Sequence, residues 1–184
     1  MTSPGSVRGR ERLRLFCALR LPEPTLDELE RWQRAHVGDA GRVVPRAHLH
    51  VTLAFLGSTP TSELARVGDA LRDAARRVGE IVFSPVRYRE TRSVGMVVLE
   101  DETGEAERLA LRLFKRLERI KLYERERRPW LPHVTVVRFR QQLRLAPPPP
   151  DLGAFSPSDA AVYDSRLRPS GAQYEVLETV ALGG

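Results

Sequence analysis

The sequence predicts an α+β fold, and three observations carry that expectation. Apolar residues recur with a period of two in some segments and with helical spacing in others. The two kinds of segment alternate irregularly, and strands come in hairpin-like pairs after each helix. A doubly wound parallel sheet would instead place a crossover helix between successive strands. The 184 residues suffice for one domain or for two small lobes sharing an interface, and a content of 41% hydrophobic and 29% charged residues excludes a disordered chain. No stretch approaches the roughly 20 apolar residues of a membrane span.

Residues 1–11 read as a flexible basic tail without the apolar core of a signal peptide, so a cytoplasmic location is expected, with residues 12–184 as a single domain. In "RLRLFCALRL" the alternation of Leu13, Leu15, Cys17 and Leu19 predicts a strand. Cys17 is the one cysteine, which excludes an internal disulfide framework and a cysteine-based zinc site; its place in that row reads as a small core residue. A helix follows, with Thr25 and Glu28 in capping-box spacing and Leu26, Leu29 and Trp32 as its apolar stripe. "GRVVPRAHLHVTLAFLG" reads as a connection and a second strand that Gly57 ends. The next segment, "TPTSELARVGDALRDAARRVG", predicts a helix capped by Thr61, lined by Leu64, Val67, Leu71 and Val78, and stopped by Gly79.

Strands are expected over "IVFSPVRYRE" and "VGMVVLE", with "DETG" turning the chain. Leu109, Leu113, Leu117 and Ile120 mark a third helix, and "RRPWLPHVTVVRFR" is a short loop and a strand. Pro147 to Pro150 form an extended connection, after which "AAVYDSRL" and "QYEVLETVAL" close the chain as strands joined through "RPSG". This order hints at a diverged internal duplication.

Net charge is +6, and Lys115 and Lys121 are the two lysines, so arginine supplies nearly all the positive side chains. Guanidinium forks suit phosphate contacts and would attract RNA or another anion. An arginine-biased composition accounts for the same excess, so charge permits a nucleic-acid partner without establishing one.

The tripeptide His-Val-Thr occurs twice, at His50 and at His133, each time inside an apolar, strand-like run. Nine of the 184 residues are threonine, so a histidine has about a one-in-twenty chance of a threonine two places on. Two such hits among four histidines therefore call for an explanation beyond chance. In a strand, His50, Thr52 and Ala54 share one side and Val51, Leu53 and Phe55 the other; His133 and Thr135 are arranged likewise. Each strand anchors itself in apolar packing and presents an imidazole beside a hydroxyl. Two imidazoles with ordinary pKa near 6.5 suit a phosphodiester hydrolysis, which needs a base for the attacking water and an acid for the leaving oxygen. The threonine hydroxyls can donate to the non-bridging phosphate oxygens. The scheme requires no metal and no cofactor.

Paired His-x-Thr-hydrophobic motifs of this kind resemble the 2H phosphoesterase superfamily. The segments "RLFCALRLPE", "VPRAHLHVTLAFLG", "RPWLPHVTVVRF" and "YDSRLRPSGAQYEVL" are similar to the RNA 2′,3′-cyclic phosphodiesterases, historically called 2′-5′ RNA ligases, from about Leu13 to Leu177. The resemblance implies a bilobal α+β fold, with two antiparallel sheets and flanking helices forming a central cleft and one motif per lobe. It implies metal-independent opening of terminal 2′,3′-cyclic phosphates of RNA or nucleotides to 2′-phosphomonoesters, with His50 as proton donor and His133 as proton acceptor. Thr52, Thr135 and Arg138 would bind the phosphate. A monomer is expected. Two alternatives stay open: the same chemistry on another cyclic phosphate, such as an ADP-ribose derivative, and a module that holds RNA ends without turnover.

Arg138 matches a basic residue that relatives carry for the phosphate, yet strict alternation places it opposite His133, so the contact needs a bulge or a strand end. Phe55 could stack on a nucleobase, but its parity assigns it to the core. Trp130 is expected to pack beside the second motif. His48 shares a face with His50 but lacks an evident third metal ligand and reads as a polar turn residue, while His36 faces solvent on a helix. The "SVGMVVLE" strand lacks an aromatic common in relatives, and "QQLRLAPPPPDLG" is an unusual loop; both bear on substrate identity.

Overall fold

The computed structural model describes residues 9–183. Its elements run β1 (Arg12–Arg20), α1 (Glu23–His36), β2 (Arg42–Val43), β3 (His50–Pro60), α2 (Leu64–Ala75), β4 (Phe83–Glu90), β5 (Val94–Asp101), α3 (Glu105–Arg119), β6 (His133–Arg138), β7 (Asp159–Arg168) and β8 (Gly171–Val180). The fold is α+β, with antiparallel pairing throughout the sheet.

The two expected sheets are joined into one, in the order β4-β5-β6-β3-β1-β7-β8 with β2 on β6. The halves β4-β5-β6 and β3-β1-β7-β8 meet through a single residue pair, Val51 with Val134. The physical reason is the cost of a bare strand edge. Beyond that pair β3 diverges, and the open edge of β6 is taken over by β2, with Val43 opposite Val137, Arg42 opposite Arg138, and the Val44 N–H donating to the Val136 carbonyl at 3.0 Å. On the other side of the joint the Trp130 indole N–H donates to the Thr52 carbonyl at 3.0 Å, filling in for a ladder bond.

Leu13, Leu15, Cys17 and Leu19 enter the main core as their alternation implies, packed with the apolar faces of all three helices. Leu109, Leu113 and Leu117 of α3 are fully buried, each stabilising the fold by about 1.5–3 kcal/mol. Burial pushes the Cys17 thiol up to about 12, in keeping with a core residue and not a nucleophile. The opposite face of β1 and β7 carries a second, smaller cluster of Phe16, Ala18, Ala161 and Tyr163, against which Tyr174 and Val176 pack.

Several local expectations give way. Helix α1 starts at Glu23 after Pro22, and Thr25 lies buried in its first turn without capping anything; Pro24 fits there because first-turn N–H groups have no helical partner. The Thr61 hydroxyl donates to the Arg10 carbonyl at 2.6 Å, and a 3₁₀ turn over Thr61–Glu63 leads into α2. Helix α2 ends at Ala75, and the Gly79 N–H donates to Glu105 at 2.8 Å. Strand β3 does not stop at Gly57 but runs on to Pro60; Gly57 adopts φ +69° beside an extra residue, Leu56, that bulges from the ladder with β1. Of the expected tail, residues 1–8 lie outside the described residues, and Arg10 is ion-paired with the buried Asp164 at 2.6 Å. Among the described residues no helix is long and apolar enough to cross a membrane.

Candidate active site

The pair Val51–Val134 fixes the geometry of both motifs. In antiparallel register it sets His50 opposite Thr135 and Thr52 opposite His133, so the four polar side chains form a two-by-two array on one face. The histidines are diagonal neighbours, for which strand geometry gives a Cβ separation of roughly 7–8 Å, within reach of one phosphoryl group between the rings. His50, Thr52, Thr135 and Arg138 line a cleft of about 370 Å³. His133 is not in that lining; it stands half-buried just beyond Thr135 on the same face of β6.

Both rings are held in the same way. Nδ1 of His50 bonds the His48 carbonyl at 2.7 Å, and Nδ1 of His133 bonds the Leu131 carbonyl at 2.8 Å. A carbonyl accepts only, so Nδ1 carries the proton in each neutral ring and Nε2 is left to exchange one. The two environments differ. The His50 ring centroid lies 5.0 Å from Phe16, 5.6 Å from Tyr174 and 5.9 Å from Tyr163, with Nε2 3.0 Å from the Thr52 hydroxyl. Burial in this aromatic box pushes its pKa down to about 4, reinforced by the nearby His133, His48 and Arg138, against the opposing pull of the His48 carbonyl. Burial also lowers His133, with Arg128 and Arg89 adding to the effect and the Leu131 carbonyl opposing it.

A shared irregularity aims the next side chains. Leu53 is an extra residue of β3 against β1, and Val136 is an extra residue of β6 against β5. Each bulge sits three residues past its histidine and reverses the parity beyond it. Leu53 and Ala54, like Val136 and Val137, are consecutive buried residues, and the sixth residue of each motif turns onto the cleft face. In β6 that residue is Arg138, which the bulge brings to the side of His133. In β3 it is Phe55, whose expected core position is wrong for this reason: the ring is 47% exposed and lines the cleft. Trp130 is half-buried against the main core and does not line the cleft. His48 lines it from a 3₁₀ turn, 4.4 Å from the Tyr174 ring, and His36 is exposed at the end of α1.

The sequence left part of the site unread. Among the described residues Arg14, Arg42 and Arg168 join Arg138 in the lining, and no Asp or Glu does. Arg14 was legible as the outward residue between Leu13 and Leu15; the others arrive through the β2–β6 pairing and the β7–β8 turn. Gln33 is 2% exposed on α1, and its amide donates to the Val136 carbonyl at 2.8 Å and to the Val44 carbonyl at 3.0 Å. It is thereby a second donor to the carbonyl of the bulged residue, beside the Val44 N–H, and ties α1 to both β6 and the segment after β2. A polar residue on the buried stripe of a helix was the available signal.

The chain is similar to known proteins over nearly its whole length. A family model described as the 2′-5′ RNA ligase superfamily matches residues 21–162. The RNA 2′,3′-cyclic phosphodiesterase of Escherichia coli strain K12 is 28% identical over 175 residues, covering 92% of this chain and 96% of that protein. The protein of the same name from Methanocaldococcus jannaschii is 22% identical over 180 residues, covering 90% of this chain and 99% of its own. Among solved structures, TT0787 of Thermus thermophilus has a TM-score of 0.79 at 27% identity, covering 92% of this chain and 98% of that one. E. coli LigT complexed with 3′-AMP has a TM-score of 0.81 at 22% identity, covering 95% of this chain and 100% of that one.

Proposed function

The chain belongs to the 2′-5′ RNA ligase superfamily, and from that premise we propose that it hydrolyses terminal 2′,3′-cyclic phosphates of RNA or nucleotides to 2′-phosphomonoesters. The single observation that carries this reading is the two-by-two array of His50, Thr52, His133 and Thr135 across the Val51–Val134 joint. An array of one histidine could bind a phosphate; two histidines with Nδ1 tied to a backbone carbonyl and Nε2 left to exchange a proton can act on both sides of it.

In the proposed reaction the phosphodiester lies between the rings, its non-bridging oxygens accepting from the Thr52 and Thr135 hydroxyls and from Arg138. Nε2 of His133 takes a proton from water as the water oxygen bonds to phosphorus. The bond from phosphorus to the 3′ oxygen breaks, and Nε2 of His50 delivers a proton to that oxygen, leaving the phosphate on the 2′ oxygen. The family resemblance assigns which histidine is acid and which is base. Since burial keeps His50 neutral in the free protein, its proton arrives with the anionic substrate, whose charge favours the imidazolium. Each proton-transfer group contributes about 10²–10⁴ in rate.

Product analysis tests the reading: the purified protein, in the presence of EDTA, is incubated with 2′,3′-cyclic AMP and with an oligoribonucleotide ending in the cyclic phosphate. The 2′-phosphate is the expected product. Formation of the 3′-phosphate, or of no product from either substrate, contradicts it.

A further inference from the structure

Each ring of the array is held by a carbonyl two residues back in the chain, but the two carbonyls are themselves secured differently. The His48 carbonyl belongs to a 3₁₀ turn over Arg46–His48 that closes locally. There the His48 N–H donates to the Pro45 carbonyl at 2.8 Å and the Leu49 N–H to the Arg46 carbonyl at 3.1 Å. The Leu131 carbonyl stands in residues 129–132, which form neither helix nor strand, just after a stretch exposed from Glu124 to Pro129. Its place depends on tertiary ties, and Trp130 is where the chain turns back into the protein.

Trp130 packs against the main core, and its indole N–H reaches across to the Thr52 carbonyl on β3 at 3.0 Å. That carbonyl belongs to the peptide leading into Leu53, the extra residue of β3. Three successive residues before His133 are therefore engaged. Trp130 holds the first motif through its side chain, and Leu131 holds the His133 ring. Pro132 accepts from the Leu99 N–H of β5 at 3.0 Å. Proline locks its own φ and keeps the residue before it extended, so little freedom separates the indole from the imidazole.

Such a tether bears on the chemistry because the motif strands meet through the single pair Val51–Val134. Transfer of two protons about one phosphorus needs both rings in place together, and a misplacement of about 1 Å can cost about 10² in rate. Packing alone would be satisfied by any large apolar side chain; the bond to Thr52 requires an N–H. Resting on the cyclic-phosphodiesterase reading, we infer that Trp130 is a positioning residue whose indole N–H sets the His133 ring relative to Thr52 and His50. It lies outside the cleft lining and acts on kcat without touching substrate.

Trp32 supplies the control, since its buried indole makes a bond of the same kind to the Pro148 carbonyl at 2.8 Å, outside both motifs. The test uses the full chain with Trp130→Phe, with Trp32→Phe, and with benzothienylalanine at Trp130, which keeps the bicyclic shape and replaces the N–H by sulfur. On 2′,3′-cyclic AMP both Trp130 variants are expected to lower kcat about tenfold with KM within about twofold of the parent, while Trp32→Phe changes neither. The second readout needs no turnover. In NMR spectra of labelled histidine rings, exchange of the His133 Nδ1 proton with water should quicken about tenfold in the Trp130 variants and keep the parent rate in Trp32→Phe. If the parent opens no cyclic phosphate, the reaction falls and this exchange rate alone decides the positioning role. An unchanged exchange rate overturns that role whatever kcat does. With an active parent, a parent-like kcat in the benzothienylalanine variant, a loss confined to KM, or an equal loss in Trp32→Phe overturns it as well.

Discussion

Strands β3 and β6 carry the same burial sequence from histidine to sixth residue, with the extra residue in the same place, yet they build unlike surroundings. His50 sits in a box of three aromatic rings, and its strand ends the motif on Phe55. His133 lies outside that box, and its strand ends the motif on Arg138. The shared bulge therefore works as a mount that accepts either an aromatic ring or a guanidinium. The difference lies in the surroundings: β3 holds a strongly desolvated imidazole and turns an aromatic ring onto the cleft, whereas β6 holds a less buried imidazole and turns a guanidinium there.

The contrast between the strands breaks most sharply if either histidine proves dispensable. His50→Ala and His133→Ala are each expected to lower kcat/KM by about 10² or more. The double variant should lose little beyond the worse single one, because the two act as a unit; single and double variants assayed on one cyclic substrate would show this. Either single variant near the parent rate removes that histidine from the mechanism.

Next in size is the guanidinium that only β6 carries. Arg138→Ala should raise KM about tenfold or more, the scale of a charge-assisted hydrogen bond, with Arg138→Lys recovering part of it. Gln33→Leu sharpens the same point from a distance. It removes two hydrogen bonds, to the Val136 and Val44 carbonyls, each worth about 0.5–1.5 kcal/mol in denaturant unfolding, and should raise KM in the direction of Arg138→Ala while leaving His133 chemistry in kcat. A stability loss with unchanged KM would mean that the bulge aims Arg138 without Gln33.

The pH dependence separates the two imidazoles. In the proposed reaction, productive binding to the free protein requires a proton on His50 and none on His133, and burial depresses both below the ordinary 6.5, His50 to about 4. His50 is therefore already mostly unprotonated at pH 6.5, and each further unit of pH lowers its protonated fraction, and with it kcat/KM, about tenfold. In the complex the phosphate charge raises His50, so the alkaline limb of kcat should lie at higher pH than that of kcat/KM. Coincident limbs would show that substrate does not supply the proton affinity.

The smallest effect is on stability. His50 takes up its proton more readily in the unfolded chain than in the folded one, so the unfolded state binds more protons between pH 6.5 and about 4. Stability is fully present above pH 6.5 and declines as pH falls through that window. His50→Asn should flatten this decline in urea titrations at several pH values, whereas an unchanged decline would assign it to other groups.

The letters revealed the elements and the pair of motifs because those depend on local period: Leu13 to Leu19, the stripe of α3 and the two His-Val-Thr runs are all readable within a dozen residues. They did not reveal what depends on pairing at long range. One sheet instead of two follows from the Val51–Val134 contact, and the positions of Phe55 and Arg138 follow from bulges visible only against β1 and β5. The adjacent apolar pairs Leu53–Ala54 and Val136–Val137 broke the alternation in plain view, and counting them as bulges would have placed both residues correctly. Arg42 and Arg168 had no such local mark, since tertiary pairing alone delivers them to the cleft.

The most direct test of the central claim is a crystal structure with a 2′-phosphorylated nucleotide bound. Nε2 of His50 and Nε2 of His133 should each lie about 2.6–3.2 Å from different oxygens on the same phosphorus, with Thr52 and Thr135 on the non-bridging ones. A phosphate held by one ring alone, with the other turned away or beyond hydrogen-bond reach, would contradict it.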